Sequence, residues 1–249
     1  SNGGIATIET AKNFPIRLVE SGPAAGAMAA AYYGKQLNIH NLISFDMGGT
    51  TAKTCFIEDA RPTTVTEFEV ARVYQFKKGS GLPVKVPVID MIEIGAGGGS
   101  LAKADQFVLL KVGPESAGAE PGPASYDQGG EVAAVTDADV LLGMLDPNSF
   151  LGGDMPLNES KAKEAVSVIS EKLDLSEIET AAGIHEVVNQ NMSAAARMHG
   201  VERGIDLRGI TLLAFGGAGP VHACGVAELL NQAKLFFPST PVFFLLLER

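Results

Sequence analysis

The chain has 249 residues, of which 46% are hydrophobic and 19% are charged, and its formal net charge is −10. This length allows one large core or two modest ones, whereas the acidic balance, without any block of Lys and Arg, argues against a nucleic-acid partner. No uninterrupted apolar run approaches a membrane span, and the two cysteines form no CxxC pair. We therefore expect a cytoplasmic protein that binds neither nucleic acid nor membrane.

The first part of the chain predicts a short helix and two strands, followed by a long segment without helical periodicity. Proline near a first turn and glycine past the last turn are typical helix boundaries, and short apolar runs between turn residues are typical of strands. The predicted helix spans Ala24–Tyr33, and the predicted strands span Leu42–Asp46 and Thr54–Ile57. Residues 79–130 are rich in glycine and proline, which predicts a loop-rich insertion that works mainly through its backbone.

The second part predicts two helices and then a strand–helix–strand unit. Apolar residues recur on one face over Asn158–Leu173, and a capping box of Ser176 and Glu179 starts a second helix that ends before Gly204. Asn191 falls on the apolar stripe of that second helix, so we expect its amide to be enclosed with a partner. The closing unit comprises Thr211–Phe215, Gly216–Pro220, Val221–Leu230 and Lys234–Phe237. This order of elements indicates an α/β fold with a mixed sheet.

A pattern suited to a polyphosphate follows the first predicted strand. Asp46 ends the strand and is followed closely by Gly48, Gly49, Thr50 and Thr51. Glycines let backbone N–H groups approach phosphate oxygens, threonine hydroxyls donate further hydrogen bonds, and a carboxylate can hold Mg²⁺ through water. An ordinary glycine hairpin with an exposed Asp would show the same residues, so both interpretations stay open on this segment alone.

A second glycine turn follows the buried strand near the end of the chain. Gly216, Gly217, Ala218 and Gly219 open a helix, so a flat ligand can lie against the backbone at the helix N-terminus. Tight packing between strand and helix would require the same small residues. His222, two residues beyond Pro220, is open to either a ligand contact or a packing role.

Six segments, read in order, resemble the hydantoinase A / 5-oxoprolinase family. They are Ser1–Gly4, Ser21–Gly26, Asp46–Thr51, Ile94–Ser100, Val112–Ala119 and Phe215–Pro220. The resemblance implies one ribonuclease-H-like half of an ATPase fold of the actin, Hsp70 and sugar-kinase type. Asp46–Thr51 is then the phosphate hairpin, and Phe215–Pro220 lies beside adenosine and ribose.

The same resemblance implies a division of the chain and a set of partners. The nucleotide-binding core is expected at about 14–70 and 205–240, a Gly/Pro-rich insertion at 71–157 and a helical segment at 158–204. The family has a preceding N-terminal region with another phosphate motif, and we expect that missing half, together with a hydantoinase B-type subunit, as partners. The chain alone is then expected to fold without catalysing a reaction.

The function implied by the resemblance is that of a domain in an ATP-dependent cyclic-amide hydrolase of the hydantoinase or 5-oxoprolinase type. It would bind ATP with Mg²⁺ or Mn²⁺ and activate the substrate carbonyl. The ATP-using subunit of an acetone or acetophenone carboxylase, and a non-catalytic nucleotide-binding module, are the alternatives. Two departures bear on the choice: Lys53 stands where many members have Asp, and Ile92 stands where many amidohydrolase members have His.

Acidic residues that border the insertion are the candidate catalytic groups. We predict Asp90, Glu93 and Asp137 as catalytic residues that face the substrate or a divalent metal, with Glu115 as a further candidate. Carboxylates suit Mg²⁺ or Mn²⁺ better than zinc, and Asp46 is the predicted metal ligand. Solvated loop charges or helix caps are the alternative roles for each carboxylate.

The remaining histidines and a cysteine receive structural interpretations. His40, His185 and His199 share no ligand spacing with one another or with His222, so we interpret them as packing residues. Cys224 lies on an apolar helix face and is interpreted as inert core. The predicted cofactor-binding set is therefore confined to the two glycine turns: Asp46, Gly48, Gly49, Thr50, Thr51, Gly216, Gly217, Ala218 and Gly219.

Overall fold

A mixed sheet lies at the centre of the structure, a computed structural model that describes residues 2–70, 79–232 and 234–238. The helices in these ranges are α1 (Ile8–Asn13), α2 (Ser21–Gln36), α3 (Val135–Leu141), α4 (Glu159–Leu173), α5 (Glu177–Arg203) and α6 (Gly219–Leu229). The strands are β1 (Leu42–Met47), β2 (Ala52–Glu58), β3 (Arg61–Pro62), β4 (Thr64–Val65), β5 (Phe68–Val70), β6 (Leu82–Val84), β7 (Val88–Ile89), β8 (Met91–Ile94), β9 (Ser100–Ala104), β10 (Leu110–Ser116), β11 (Thr211–Phe215) and β12 (Lys234–Phe236). Ser1 and residues 71–78 of the expected insertion lie outside the described residues.

The main sheet combines parallel and antiparallel pairs, as the order of elements predicts. Its strand order is β12-β11-β1-β2-β3, and β8 also pairs with β2. β11 is parallel to both β1 and β12, whereas β2 is antiparallel to β1 and to β8. Because β1 and β11 are parallel, the two glycine turns that follow them emerge at the same edge of the sheet.

Helices cover both faces of this sheet. Leu42 of β1 and Leu213 of β11 pack with the alanines of α2, whereas Ile43, Phe45 and Leu212 join a larger cluster with residues of α5 and α6. Successive side chains of a strand point to opposite faces, so the near-continuous apolar runs of β1 and β11 reflect burial on two sides. The architecture is a helix layer, a mixed sheet and a second helix layer.

The helix α2 is longer than predicted. It begins at Ser21 and continues through Gly34 to Gln36, so Gly34 does not end it. A Cβ on Gly34 would lie 2.7 Å from the carbonyl oxygen of Ile39. The glycine is therefore required by close packing of the chain that leaves the helix, and its position near the end made it resemble a helix stop.

The helix α5 begins with its predicted capping box, and α4 begins at Glu159, one residue after its predicted start, because Asn158 is its N-cap. Asn158 caps α4 by accepting a hydrogen bond from the Lys161 N–H, Ser176 and Glu179 form the capping box of α5, and Gly204 ends α5 with a positive φ. Helix ends can therefore be predicted from the sequence where the capping residues lie close together in the chain. No helix in the described ranges combines the length and the apolar character needed to cross a bilayer.

The predicted orientation of two helices is wrong in one position each. Asn191 of α5 is exposed and donates to the carbonyl oxygen of Val112, whereas Asn189 is the enclosed amide with only 1% of its surface exposed. Cys224 is exposed because α6 buries the neighbouring face that carries His222 and Ala223. Helix α5 contacts α3, α4, α6 and β10, so its buried surface is wider than one apolar stripe.

The other cysteine, Cys55, is buried in β2 and packs with the α2 layer. Burial raises the pKa of its thiol to about 12, although Arg203 and a hydrogen bond with Ser44 oppose the shift. Its sulfur therefore stays protonated at neutral pH.

The segment expected to be loop-rich contains regular structure. Within 79–130, β8 joins the main sheet beside β2, and β9 and β10 form a hairpin that contacts α5. Its glycines separate short strands, which breaks up any alternating pattern long enough to be recognised. The glycine-rich stretch at 95–99 remains a turn between β8 and β9, and this turn contributes to the site described below.

The packing of α2 on β11 provides a test of the helix layer. In Gly26→Ala, the new Cβ would overlap Phe215 Cε2 and lie 2.7 Å from its Cζ, so we expect the free energy of unfolding to fall by about 1–3 kcal/mol. Gly22→Ala in the first turn is the matched control, because a Cβ there meets nothing within 4 Å, and it should be neutral or stabilise by up to about 1 kcal/mol. Urea denaturation of both variants measures the difference, and equal unfolding free energies would contradict the described contact.

Candidate functional site

The turn between β1 and β2 is a tight hairpin at the edge of the sheet. Asp46 pairs in register with Lys53, and the Gly48 N–H donates to the Thr51 carbonyl oxygen at 3.0 Å. Gly49 and Thr50 are exposed at the tip. An open cleft of about 290 Å³ lies against this turn and is lined by Asp46, Gly48, Gly49, Thr50, Thr51 and Lys53. The five predicted cofactor-binding residues of this hairpin therefore line one cleft, whereas Met47 is buried.

The glycine-rich turn between β8 and β9 packs directly on this hairpin through main-chain hydrogen bonds. The N–H of Gly98 donates to the carbonyl oxygen of Gly48 at 3.0 Å, and the N–H of Gly99 donates to that of Gly49 at 2.6 Å. Thr136, in the first turn of α3, stabilises the same turn, because both its N–H and its hydroxyl donate to the Gly98 carbonyl oxygen.

The turn after β11 reaches the hairpin from the other side. The Ala218 N–H donates to the carbonyl oxygen of Met47 at 2.9 Å, and Gly216 has a φ of +87°. A Cβ on Gly216 would overlap both Asp46 Oδ1 and the Met47 carbonyl oxygen. Glycine is therefore required there by conformation and by space, and the predicted cofactor-binding segments meet through their backbones.

The glycines of the site divide into two groups by what surrounds them. Gly97 and Gly216 press on the backbone or carboxylate of the hairpin, so packing alone accounts for them. A Cβ on Gly49 or Gly217 would meet nothing within 4 Å, and neither residue has a positive φ. These last two are not needed for the fold, and they leave open backbone where a ligand can approach.

Three carboxylates and one ammonium group give the hairpin its charge. Lys53 Nζ lies 2.8 Å from Glu93 Oε1, 3.8 Å from Glu20 Oε2 and 2.9 Å from the Thr51 hydroxyl. Burial raises the pKa of Asp46, with Lys53 opposing the shift, and burial also raises the pKa of Glu20. Among the residues that the structure describes here, the acidic groups outnumber the single lysine.

The predicted catalytic carboxylates have three different environments. Glu93 contacts Lys53 at the cleft. Asp90 forms an ion pair with Arg203 at the end of α5, and its Oδ2 lies 3.7 Å from His199 Nε2. The structure thus brings Glu93 to the phosphate hairpin and gives Asp90 partners on α5.

Asp137 and Glu115 have the surroundings of structural groups. Asp137 is fully buried and accepts hydrogen bonds from the N–H groups of Ala124, Ser125 and Ala134, the last of which caps α3. Burial raises the pKa of this carboxyl, although the hydrogen bonds oppose the shift. Glu115 pairs with Lys103 on the surface at 3.3 Å. The hydrogen bonds of Asp137 are those of a helix cap, which is the alternative to a catalytic role for this carboxylate.

A cluster that the sequence analysis missed lies among α3, α5 and α6. Asp139 Oδ1 is 2.8 Å from His185 Nδ1, and Asp139 Oδ2 is 3.1 Å from His222 Nε2. His222 is completely buried, which agrees with a packing position more than with direct ligand contact from solvent. Burial alone would raise the pKa of Asp139, but the hydrogen bonds and charges of the two histidines outweigh it and lower the pKa.

A second cleft, of about 420 Å³, lies between this cluster and the glycine turns. It shares Gly49 with the first cleft and is also lined by Gly98, Gly217, Ala218 and Asp139. Larger side chains form much of its wall, namely Tyr126, Met144, Leu145, Phe150, Leu151 and Val221, and Thr136, Asp146 and Ser149 add polar groups. The two clefts therefore border each other at the hairpin, one polar and the other largely apolar.

Comparison with known proteins identifies relatives of the whole chain. The model of the hydantoinase/oxoprolinase family matches residues 1–246. The acetophenone carboxylase gamma subunit of Aromatoleum aromaticum is 38% identical over 98% of this chain and 32% of its own length. The chain thus spans about a third of the length of this curated relative.

Two solved structures share the fold. The ATP-dependent caprolactamase of Pseudomonas jessenii matches with a TM-score of 0.74 at 36% identity, covering 88% of this chain and 30% of that one. A nucleotide-free acetone carboxylase matches with a TM-score of 0.74 at 29% identity, covering 86% and 29% respectively. Together with the mixed sheet, these neighbours confirm the predicted α/β fold and are consistent with one half of an actin-like ATPase.

The raised pKa of Asp46 predicts that Asp46→Asn stabilises the protein at neutral pH. Because burial raises the pKa of the folded carboxyl, ionisation destabilises the folded state relative to the unfolded state. The difference in Tm between variant and wild type should be absent below about pH 4, where both states of the wild type are protonated, and should grow as the pH rises. Thermal unfolding from about pH 3 to pH 8 measures it.

Asp206→Asn serves as a control of opposite sign. The hydrogen bond from Arg208 is the main cause that lowers the pKa of Asp206 to about 2, so this carboxylate stabilises the folded state at neutral pH. The variant should be less stable than wild type there, and the difference should disappear as the pH falls from about 4 towards 2. A Tm change of the same sign in both variants would contradict the burial of Asp46.

Proposed function

The chain belongs to the hydantoinase/oxoprolinase family, and from this premise we propose that it is the nucleotide-binding domain of an ATP-dependent enzyme that hydrolyses a cyclic amide. The observation that supports the proposal most is the meeting of three glycine turns around Asp46, with the backbone of Gly49 and Gly217 left open. The ATP-dependent caprolactamase relative supports the use of ATP.

In the proposed complex, the phosphates of ATP lie against the hairpin. The backbone of Gly49 is open to phosphate oxygens, and the hydroxyls of Thr50 and Thr51 are available as donors beside it. Lys53 fixes the Thr51 hydroxyl at 2.9 Å. Asp46 would hold Mg²⁺ or Mn²⁺ through water, and the ion would neutralise phosphate charge during transfer.

The adenosine part is proposed to follow the turn after β11. Gly217 and Ala218 line the second cleft, and Gly217 has no neighbour where a Cβ would be. The proposed reaction transfers the γ-phosphoryl group to the amide oxygen of the substrate, so that a poor electrophile becomes open to attack by water. Of the predicted catalytic carboxylates, Glu93 has the strongest geometric support because it contacts Lys53 at the cleft.

The opposite wall of the nucleotide cleft is proposed to come from an N-terminal half of the same protein. The first cleft is open, and phosphoryl transfer requires a site that orders the substrate and excludes water. We propose a hydantoinase B-type subunit as a further partner, since the relative in Aromatoleum aromaticum is itself named as a subunit.

A ketone carboxylase subunit is the second candidate function. Ile92 of β8 is 7% exposed and packs in the larger core cluster, so an apolar residue occupies the position where the amidohydrolase resemblance leads us to expect a histidine. The acetophenone carboxylase relative is 38% identical to this chain. Activation of a ketone enolate by ATP would use the same phosphate hairpin.

Two substitutions in the hairpin test the proposed nucleotide site. Asp46→Ala removes the proposed metal partner, and Gly49→Val fills the open space in front of the backbone, so each should lower ATP consumption at least about 100-fold. Folding should persist, because a Cβ on Gly49 meets nothing within 4 Å. Asp59→Asn, at an exposed turn after β2, is the control and should keep wild-type turnover. Wild-type turnover in both hairpin variants would refute the site.

Release of ADP from the full-length protein distinguishes the candidate functions. Stimulation by 5-oxoproline or hydantoin is the expected result. Stimulation only by acetone or acetophenone with bicarbonate would replace the hydrolase proposal with the carboxylase. Nucleotide binding without stimulation by any of these compounds would favour the non-catalytic module.

A further inference from the structure

Three helices bring one carboxylate and two imidazoles together in what we call the histidine–aspartate cluster: Asp139 on α3, His185 on α5 and His222 on α6. One potential ligand atom from each residue lies within 4.8 Å of the other two. We propose that this cluster binds a divalent transition metal ion of the Zn²⁺ type. The inference goes beyond the proposed function, because it stands on the geometry of the cluster and not on the phosphate hairpin.

The hydrogen bonds of His222 define what its ring presents to Asp139. Nδ1 lies 2.9 Å from Oδ1 of Asn189, an oxygen that can only accept, so Nδ1 carries a proton. Nε2 faces Asp139 Oδ2 at 3.1 Å, and this oxygen is also an acceptor. In the tautomer with the proton on Nδ1, the lone pair of Nε2 faces the carboxylate, and the two groups can bind one metal ion.

The enclosed amide of Asn189 favours the metal. A histidine that binds a metal through one nitrogen characteristically donates its other N–H to an oxygen acceptor, which fixes the tautomer and the ring plane. Asn189 does this for His222 from a position that is 1% exposed. The Nδ2 atom of Asn189 fits only because residue 225 is glycine, since a Cβ on Gly225 would lie 2.5 Å from this nitrogen.

The spacing of the ligand atoms is close to that of a metal site. Metal bonds of about 2.1 Å place neighbouring ligand atoms roughly 3.0–3.4 Å apart. The pairs Asp139–His185 and Asp139–His222 are separated by 2.8 and 3.1 Å. The two imidazole rings stack with centroids 4.5 Å apart and 19° between their planes, and one nitrogen of each contacts the Asp139 carboxylate.

The donor set selects the class of metal. Two imidazole nitrogens and one carboxylate suit zinc and its first-row neighbours, whereas Mg²⁺ prefers oxygen ligands and water. Three protein ligands also leave a coordination position for water or substrate, as in catalytic zinc sites. Asp139 lines the second cleft, so a ligand in that cleft can reach the cluster at Asp139. A metal ion bound there would supply Lewis-acid chemistry.

Zinc binding by the chelator-treated, full-length protein tests the proposal. Calorimetry in excess Mg²⁺ should show one Zn²⁺ bound with a Kd of about 1 µM or tighter, a threshold well within the range of protein zinc sites. His185→Gln should weaken that binding at least about tenfold. His40→Gln is the control, because it removes an exposed histidine outside the cluster and should bind like wild type.

The outcomes separate a metal site from a cluster held only by direct hydrogen bonds between its side chains. The His185 side chain is 13% exposed, whereas those of Asp139 and His222 are almost completely buried, so His185 is the position where folding is most readily retained. Circular dichroism should confirm folding of each variant, and X-ray absorption at the zinc edge of the wild type gives a readout that needs no variant. Two imidazole ligands are expected. No zinc binding, equal affinity in His185→Gln and wild type, or a shell of oxygen ligands alone would overturn the proposal.

Discussion

Close contact between main chains is the constraint on which the rest of the site depends. The hairpin after β1 is bonded backbone to backbone to the turn before β9 and to the turn after β11. At the closest points of this contact only a residue without a Cβ fits, as the surroundings of Gly97 and Gly216 show. The parallel register of β1 and β11 brings two of these turns to one edge, and the pairing of β8 with β2 brings the third.

The sequence allowed the local elements and the two phosphate-type turns to be predicted, because their signals lie in adjacent residues. The strand Thr211–Phe215 has its predicted bounds, and the capping box of α5 is formed by Ser176 and Glu179, as predicted. The prediction failed for the rotation of the helices about their own axes, which decides which side chains are buried. A one-stripe pattern made Asn191 the enclosed amide, whereas packing on several sides of α5 encloses Asn189.

The histidine–aspartate cluster could not be found from spacing, because its members come from three helices that are distant in the chain. His185 and His222 are separated from Asp139 by 46 and 83 positions. The available signal was weak: a second aspartate two residues after Asp137, and a histidine in the first half of α6. Sequence could likewise not separate glycines required for packing from those that leave open backbone, since only their neighbours in space differ.

The contrast between the two cysteines makes this chain suited to selective chemical labelling. Cys55 is buried with a thiol pKa of about 12, so maleimides and other thiol reagents have neither access to it nor a thiolate to attack. Cys224 is exposed on α6, the helix that begins in the turn after β11 and carries His222 on its buried side. A fluorophore attached at Cys224 would sit on the outer surface of a helix that lines the second cleft through Val221, and its emission would report movement of that helix without any engineered residue.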